Sequence, residues 1–167
     1  MSAIRRRDTR PELALRRALH RKGLRCFVDR APLREFPRRR ADVVFPQTRI
    51  AVFVDGCFWH GCPEHTRPSR ANARWWTAKL QGNVARDRET DARLVDAGWW
   101  GVRIWEHEPV EEAACGVSQA LIKQVVQNGV RTAGKKGTSV FTQGKGANRI
   151  RVIVDNKTGN IITVTNG

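Results

Sequence analysis

Apolar positions in the first 130 residues recur with two periods, one helical and one of short unbroken runs, and the switches between them divide the chain into elements. RDTRPELALRRALHRKGL carries Leu15, Ala18 and Leu19 at helical spacing, with Thr9 as N-cap, Pro11 in the first turn, Glu12 three residues after the cap and Gly23 as the stop. The same spacing puts Glu12 on the side of Leu15 and Leu19, so a carboxylate is predicted to face inward. ADVVF (41–45) and IAVFV (50–54) predict paired central strands, because the PQTR between them has the length and polarity of a hairpin turn. A loop-like RPSRANARWW precedes TAKLQGNVARDRETDARLVDAG, which predicts a long helix ending at Gly98. GVRIWEHE then predicts a third strand. EEAACGVSQALIKQVVQNGV predicts a last helix with Ala114, Val117, Leu121 and Val125 along one face.

Beyond Gly129 the pattern dissolves: Gly, Lys, Thr and Ser dominate from Arg131 to Gly146, as in a linker. NRIRVIVDNKTGNIITVTNG then predicts a β-hairpin, which must dock on something because an isolated hairpin is marginal in water. The expected organisation is a domain over 1–130 followed by a linker and hairpin tail over 131–167 whose role the residues do not reveal.

At 167 residues the chain is long enough for one domain with a core. A formal charge of +15 and a pI near 11.2 point to a polyanionic partner, nucleic acid first. Residues 1–50 hold fifteen Lys plus Arg against five Asp plus Glu, and all but one of those bases are arginines, whose forks suit phosphate oxygens. A solvated basic surface or an anionic membrane contact is the plainer alternative. No apolar run is long enough for a membrane helix, and the Arg-rich start lacks the apolar core of a signal peptide. A cytoplasmic protein is therefore expected, whose four cysteines are metal ligands or buried thiols rather than disulfides.

VDGCFWHGCPEH (54–65) concentrates the chemistry. Cys57, Cys62 and His65 follow the spacing CxxxxCxxH, and His107 lies downstream in WEHE; two thiolates and two imidazoles suit a tetrahedral zinc ion. His60 is an alternative to His65, and buried thiols with surface histidines are the alternative to a metal. Cys26 and Cys115 have no nearby histidine and read as small core residues. Phosphodiester cleavage needs a hard cation, and Mg²⁺ takes one or two carboxylates while keeping much of its water. Asp42 in the first predicted strand, Asp55 at the end of the second, inward-facing Glu12 and His60 make a candidate set. Three of the four have a plainer role: Glu12 as a capping-box partner, Asp55 as a turn residue before Gly56, His60 as a zinc ligand.

Together DTRPELALRRAL, GLR, RADVVF, RIAVFVDGCFWHGCPEH, WWTAKLQGNVARDRETDARLVDAGW and VRIWEHE resemble the very short patch repair (Vsr) family of DNA mismatch endonucleases, of the restriction-endonuclease-like PD-(D/E)xK superfamily. The resemblance covers most of the chain to about Glu112. It implies that Asp42 is the metal-binding aspartate, that Glu12 contacts the metal's water shell, that His60 acts in acid-base catalysis and that the carbonyl of Val54 is a main-chain metal ligand. Cys57, Cys62 and His107 match zinc-ligand positions; the loop is shorter than in some relatives, which moves the fourth ligand to His65. Phe58, Trp59 and either Trp75 or Trp76 resemble a wedge pushed into the stack beside the mismatch, a device that makes physical sense because a mismatched step costs least to open. Lys79, Asn83 and Arg86 on the following helix would face phosphates or mismatch edges.

The chain departs from the family pattern in places. Ala41 stands for the motif proline, and Asp55 stands where some members carry a histidine, so that Asp55 either orders water or binds metal; Gly56 stands where a lysine is usual in the superfamily, an absence shared with the repair family. A basic N-terminal arm is expected to be short, since the first helix begins so early. The expectation is a monomeric α/β protein of restriction-endonuclease-like fold, a small central mixed β-sheet flanked by helices, with a structural zinc and a catalytic Mg²⁺. It would nick one strand of double-stranded DNA 5′ to the thymine of a T:G mismatch, in a bacterial cytoplasm at the nucleoid, with other repair proteins as compatible partners. Two rival readings are a related nuclease with another target, restriction-associated or weakly mismatch-selective, and a non-catalytic zinc-stabilised DNA-binding module.

Overall fold

In the computed structural model residues 7–66, 71–146 and 149–166 are described. The predicted first helix is α1 (Arg10–Arg21). It ends as a Gly C-cap demands: Gly23 has a positive φ of 75°, and the N–H of Leu24 reaches back to the carbonyl of Leu19. ADVVF and IAVFV become β2 (Ala41–Phe45) and β3 (Ile50–Asp55), an antiparallel hairpin pairing Val43 with Val52 and Phe45 with Ile50. GVRIWEHE supplies β4 (Trp100–Trp105), which runs parallel to β3 after the crossover helix α2 (Ala73–Asp96). A short strand that the sequence pattern hides, β1 (Phe27–Arg30), adds to the other edge of β2 and completes a mixed sheet of order β1-β2-β3-β4.

Both faces of this sheet are covered, which is why its central strands read as continuous apolar runs rather than as alternation. Val43, Phe45, Ile50 and Val52 point to a core shared with Leu15, Ala18 and Leu19 of α1 and with the stripe Ala114, Val117, Leu121 and Val125 of α3 (Val110–Asn128). Val44, Ala51 and Phe53 point to the other face and meet Leu94 of α2.

Two sequence expectations need correction. Residues 131–146 do not form a linker, since β5 (Val130–Ala133) and β6 (Thr138–Gln143) lie within or across it. They join the predicted hairpin, β7 (Ile150–Asp155) and β8 (Ile161–Asn166), in a second sheet of order β5-β6-β7-β8, antiparallel throughout. This sheet is what the hairpin needed: Ile150 and Val152 enter the same core as Val117, Leu121 and Val125, each worth about 1.5–3 kcal/mol in burial. Secondly, α2 begins at Ala73, so Trp75 and Trp76 lie on a helix and not in the expected loop, of which 67–70 fall outside the described residues, as does the start of the N-terminal arm. Among the described residues no helix is long and apolar enough to cross a membrane.

Candidate active site and metal centre

Antiparallel pairing carries the start of β2 alongside the end of β3, and there Asp42 accepts a hydrogen bond from the Val54 N–H (2.7 Å). Burial pushes the Asp42 carboxyl up to about 6; the negative charges of Glu12 and Asp55 add to the rise, while the Val54 N–H and Arg16 oppose it. An acid raised by burial and by neighbouring acids is one that a divalent cation would ionise and hold. Glu12 is buried as its helical phase requires, and accepts from the Asp8 N–H (2.9 Å), the Thr9 hydroxyl (2.8 Å) and Arg16 Nη2 (2.9 Å). Thr9 makes no side-chain cap bond to α1, so Glu12 does not complete a capping box; its carboxylate instead ties Asp8, Thr9 and Arg16 together near Asp42.

His60 is 3.5 Å from Asp55 and 2.7 Å from Asp87 Oδ2 through Nδ1. A carboxylate only accepts, so Nδ1 carries the proton and Nε2 is left for other chemistry. The hydrogen bond to Asp87 leads the causes that raise the imidazole above its ordinary value, against the cost of burial. For Asp87 burial is the largest influence and acts upward, but the His60 bond and the Arg103 charge outweigh it, and the carboxyl ends below the usual range. Asp55 is buried, with both oxygens accepting from Arg103 Nη1 at 2.9 and 2.8 Å. Burial nevertheless leaves its carboxyl above the ordinary value.

The 56–66 loop folds back on itself through Cys62 N–H to the Cys57 carbonyl (3.0 Å) and the Thr66 hydroxyl to the same carbonyl (2.9 Å). This brings Cys57, Cys62, His65 and His107 together, with one ligand atom from each within 4.8 Å of all the others. Cys57 Sγ is 3.0 Å from His107 Nδ1, and Cys62 Sγ is 3.7 Å from His65 Nδ1. Burial, together with the hydrogen bond and charge of Cys62, pushes the Cys57 thiol up to about 11, so that thiol stays protonated at neutral pH unless a cation displaces its proton. Such a two-sulfur, two-nitrogen set has the composition and spread of a closed zinc site. Of the two histidines in question, His65 joins this cluster and His60 faces the acids.

Phe58 and Trp59, between Cys57 and His60 in the chain, form an aromatic ledge with α2. Phe58 packs edge-on against Trp59 (5.2 Å between centroids) and Trp76 (5.1 Å), and Trp75 extends the row from Trp76 at 4.8 Å. Adjacent helix positions point to different sides. Trp76 is accordingly half-buried under the loop, while Trp75 is 59% exposed. Lys79 is exposed, whereas Asn83 donates to the Trp59 carbonyl (2.9 Å), tying the loop to α2, and accepts from Arg86 (2.6 Å) one turn on. The expectation that Cys26 and Cys115 are both core residues holds only in part: Cys26 is half-buried against the main core, but Cys115 is exposed, 3.6 Å from Lys22 Nζ.

Sequence reasoning missed Asp87, Arg103 and Arg16. The signal for Asp87 was its position four residues after Asn83 on one helix face; for Arg103, a charge inside the apolar run VRIW.

The family model for the DNA mismatch endonuclease Vsr matches residues 1–65. The chain is 43% identical over 122 residues to the type II nicking enzyme V.NaeI of Lentzea aerocolonigenes, covering 72% of this chain and 74% of that one. It is 38% identical over 110 residues to the type II nicking enzyme V.XorIIP of Xanthomonas oryzae pv. oryzae, covering 65% and 77%. With the DNA mismatch endonuclease Vsr of Escherichia coli it shares 36% identity over 108 residues, covering 64% and 66%. An acid-lined junction of paired strands in a mixed sheet, seen with these relatives, defines a DNA endonuclease, a hydrolase of phosphodiester bonds. The chain belongs to the Vsr family. That kinship displaces the reading as a non-catalytic binding module.

Proposed function

We propose that this endonuclease nicks one strand of duplex DNA 5′ to the thymine of a T:G mismatch, leaving 3′-hydroxyl and 5′-phosphate ends. The carrying observation is that Asp42, at the paired strand ends, lies in the field of Glu12 and Asp55 while His60 comes within 3.5 Å of that same Asp55, on the loop whose Phe58 and Trp59 form the ledge with Trp76, Trp75 being exposed beside it. A T:G product arises when 5-methylcytosine deaminates, and such a pair is the step most cheaply opened by an aromatic wedge. The restriction-endonuclease-like class is consistent with the mixed sheet and its flanking helices. A monomer in the bacterial cytoplasm, working at the nucleoid with other repair proteins, is the setting this reading implies.

Asp42 and the main-chain carbonyl of Val54 would hold Mg²⁺, and Glu12 would orient its waters. The ion, when bound, supplies charge neutralisation and an activated water. His60 would move the proton through Nε2 while Asp87 keeps Nδ1 occupied. Cys57, Cys62, His65 and His107 would hold zinc and so brace the loop that carries Phe58, Trp59 and His60. Arg16, Arg17, Arg21 and Arg25 with His20 line a groove of about 830 Å³ that runs along α1 from the Glu12 end, a track suited to phosphates. Mg²⁺-dependent nicking is expected to vanish in Asp42→Ala and His60→Ala, and full activity in Asp42→Ala would refute the site.

A second reading is favoured by the relatives named as type II nicking enzymes: a restriction-associated nuclease less selective for the mismatch. Efficient nicking of a matched duplex would decide for it.

A further inference from the structure

Arg103 lies within β4, beside Phe53 of β3 in the parallel register, where a charge is costly unless paired. All three guanidinium nitrogens are engaged. Nη1 donates to both oxygens of Asp55, Nε to Asp91 (2.9 Å to Oδ2), and Nη2 to the Asp87 carbonyl (3.3 Å) while lying 3.5 Å from Asp87 Oδ1. The ring of Phe53 covers it at 4.9 Å. Three carboxylates from β3 and α2 therefore converge on one cation, and two of them also converge on His60 Nδ1.

Carboxylates so gathered are the usual cradle of a hard divalent ion. Here the guanidinium stands in that place, and its rigid fork sets the angle of each acid it touches. We propose that Arg103 is a positioning residue of the nuclease site: it excludes a further cation from Asp55, Asp87 and Asp91, and by fixing Asp87 it holds His60 with Nε2 toward the phosphate. Asp55 then acts through Arg103, neither ordering metal-bound water nor binding metal. The divalent ion stays at Asp42. The inference rests on the proposed roles of Asp42 and His60.

The test uses the full zinc-loaded chain, with Mn²⁺ as the probe counted by electron paramagnetic resonance and the His60 tautomer read from its ring ¹⁵N shifts. Arg103→Gln is expected to bind one Mn²⁺ more than wild type, to show mixed His60 tautomers, and to nick about ten- to a hundredfold more slowly. Adding Asp55→Asn to Arg103→Gln removes the additional Mn²⁺. Arg103→Lys, whose single ammonium neutralises Asp55 but cannot span to Asp87 and Asp91, keeps the wild-type Mn²⁺ count yet shows the mixed tautomers and slow nicking. If Arg103→Gln does not fold by circular dichroism, Arg103→Lys decides through tautomer and rate. A wild-type Mn²⁺ count and a single Nδ1–H tautomer in folded Arg103→Gln overturn the proposal, as does a single tautomer with wild-type rate in Arg103→Lys. Asp42→Asn separates the two levels: if it still nicks, the site reading falls and takes this inference with it; if it is dead while Arg103→Gln behaves as wild type, the inference alone falls.

Discussion

Replacing Asp42 by asparagine is expected to abolish nicking and at the same time to stabilise the fold. Burial and the nearby Glu12 and Asp55 charges raise the carboxyl from 3.8 to about 6, so ionising it in the folded protein at pH 8 costs up to about 3 kcal/mol relative to the unfolded chain. The sign follows from linkage. A folded-state value above the unfolded one means stability that is fully present below pH 4 and lost as pH rises through 6. Asparagine stays neutral throughout and can still accept from the Val54 N–H, so it escapes that loss. For a chain of this size 1 kcal/mol corresponds to roughly 2–4 °C, and the variant should melt up to about 6–12 °C above wild type at pH 8. The assay is calorimetry on zinc-loaded protein in Mg²⁺-free buffer from pH 4 to 8. The advantage should be near zero at pH 4 and complete by pH 7–8, and added Mg²⁺ should raise the wild-type Tm alone. An advantage independent of pH, or a variant less stable at pH 8, would refute the reasoning that Asp42 is a strained, cation-seeking acid.

Other perturbations test other parts. Cys62→Ser or chelation should release about one zinc per chain and loosen the 56–66 loop, visible as altered fluorescence from Trp59 and Trp76; protein purified without zinc would count against the clip. Trp75→Ala should weaken binding to mismatched duplex by about 1–3 kcal/mol with little change in Tm, since the ring is exposed; unchanged affinity would remove Trp75 from the wedge. Replacing Arg17 and Arg25 with glutamine should lower the slope of log K against log salt by about 1 for each phosphate that is no longer neutralised, and an unaltered slope would show the α1 groove to be bystander surface.

The parts of the fold that the sequence made legible are those where one physical cause dominates a local stretch. Double-sided burial made ADVVF and IAVFV unmistakable, and Thr9, Glu12 and Gly23 marked the ends of α1 because caps are chemically specific. FVDR escaped notice because β1 is an edge strand with mostly exposed side chains, and edge strands carry polar residues for good reason. β5 and β6 hid behind a Gly/Lys/Thr-rich composition, their strand state coming from pairing, β5 with β6 and β6 with β7, rather than from local propensity. Likewise the motif chemistry of 54–65 could be read in one dimension, but the Arg103 hub could not. It exists only because the parallel register sets Arg103 beside Phe53 and α2 crosses the sheet with Asp87 and Asp91 facing it. Whether His60 or His65 joins the cysteines was likewise a matter of loop path, not of spacing.

The most direct measurement is strand-resolved nicking of two end-labelled duplexes in Mg²⁺, alike except for T:G or C:G at one methylation-type site. A single nick 5′ to the thymine of the T:G duplex, with the C:G duplex and the opposite strand intact and no cleavage by Asp42→Asn, is the predicted result. Equal nicking of both duplexes, or cleavage that survives Asp42→Asn, would contradict it.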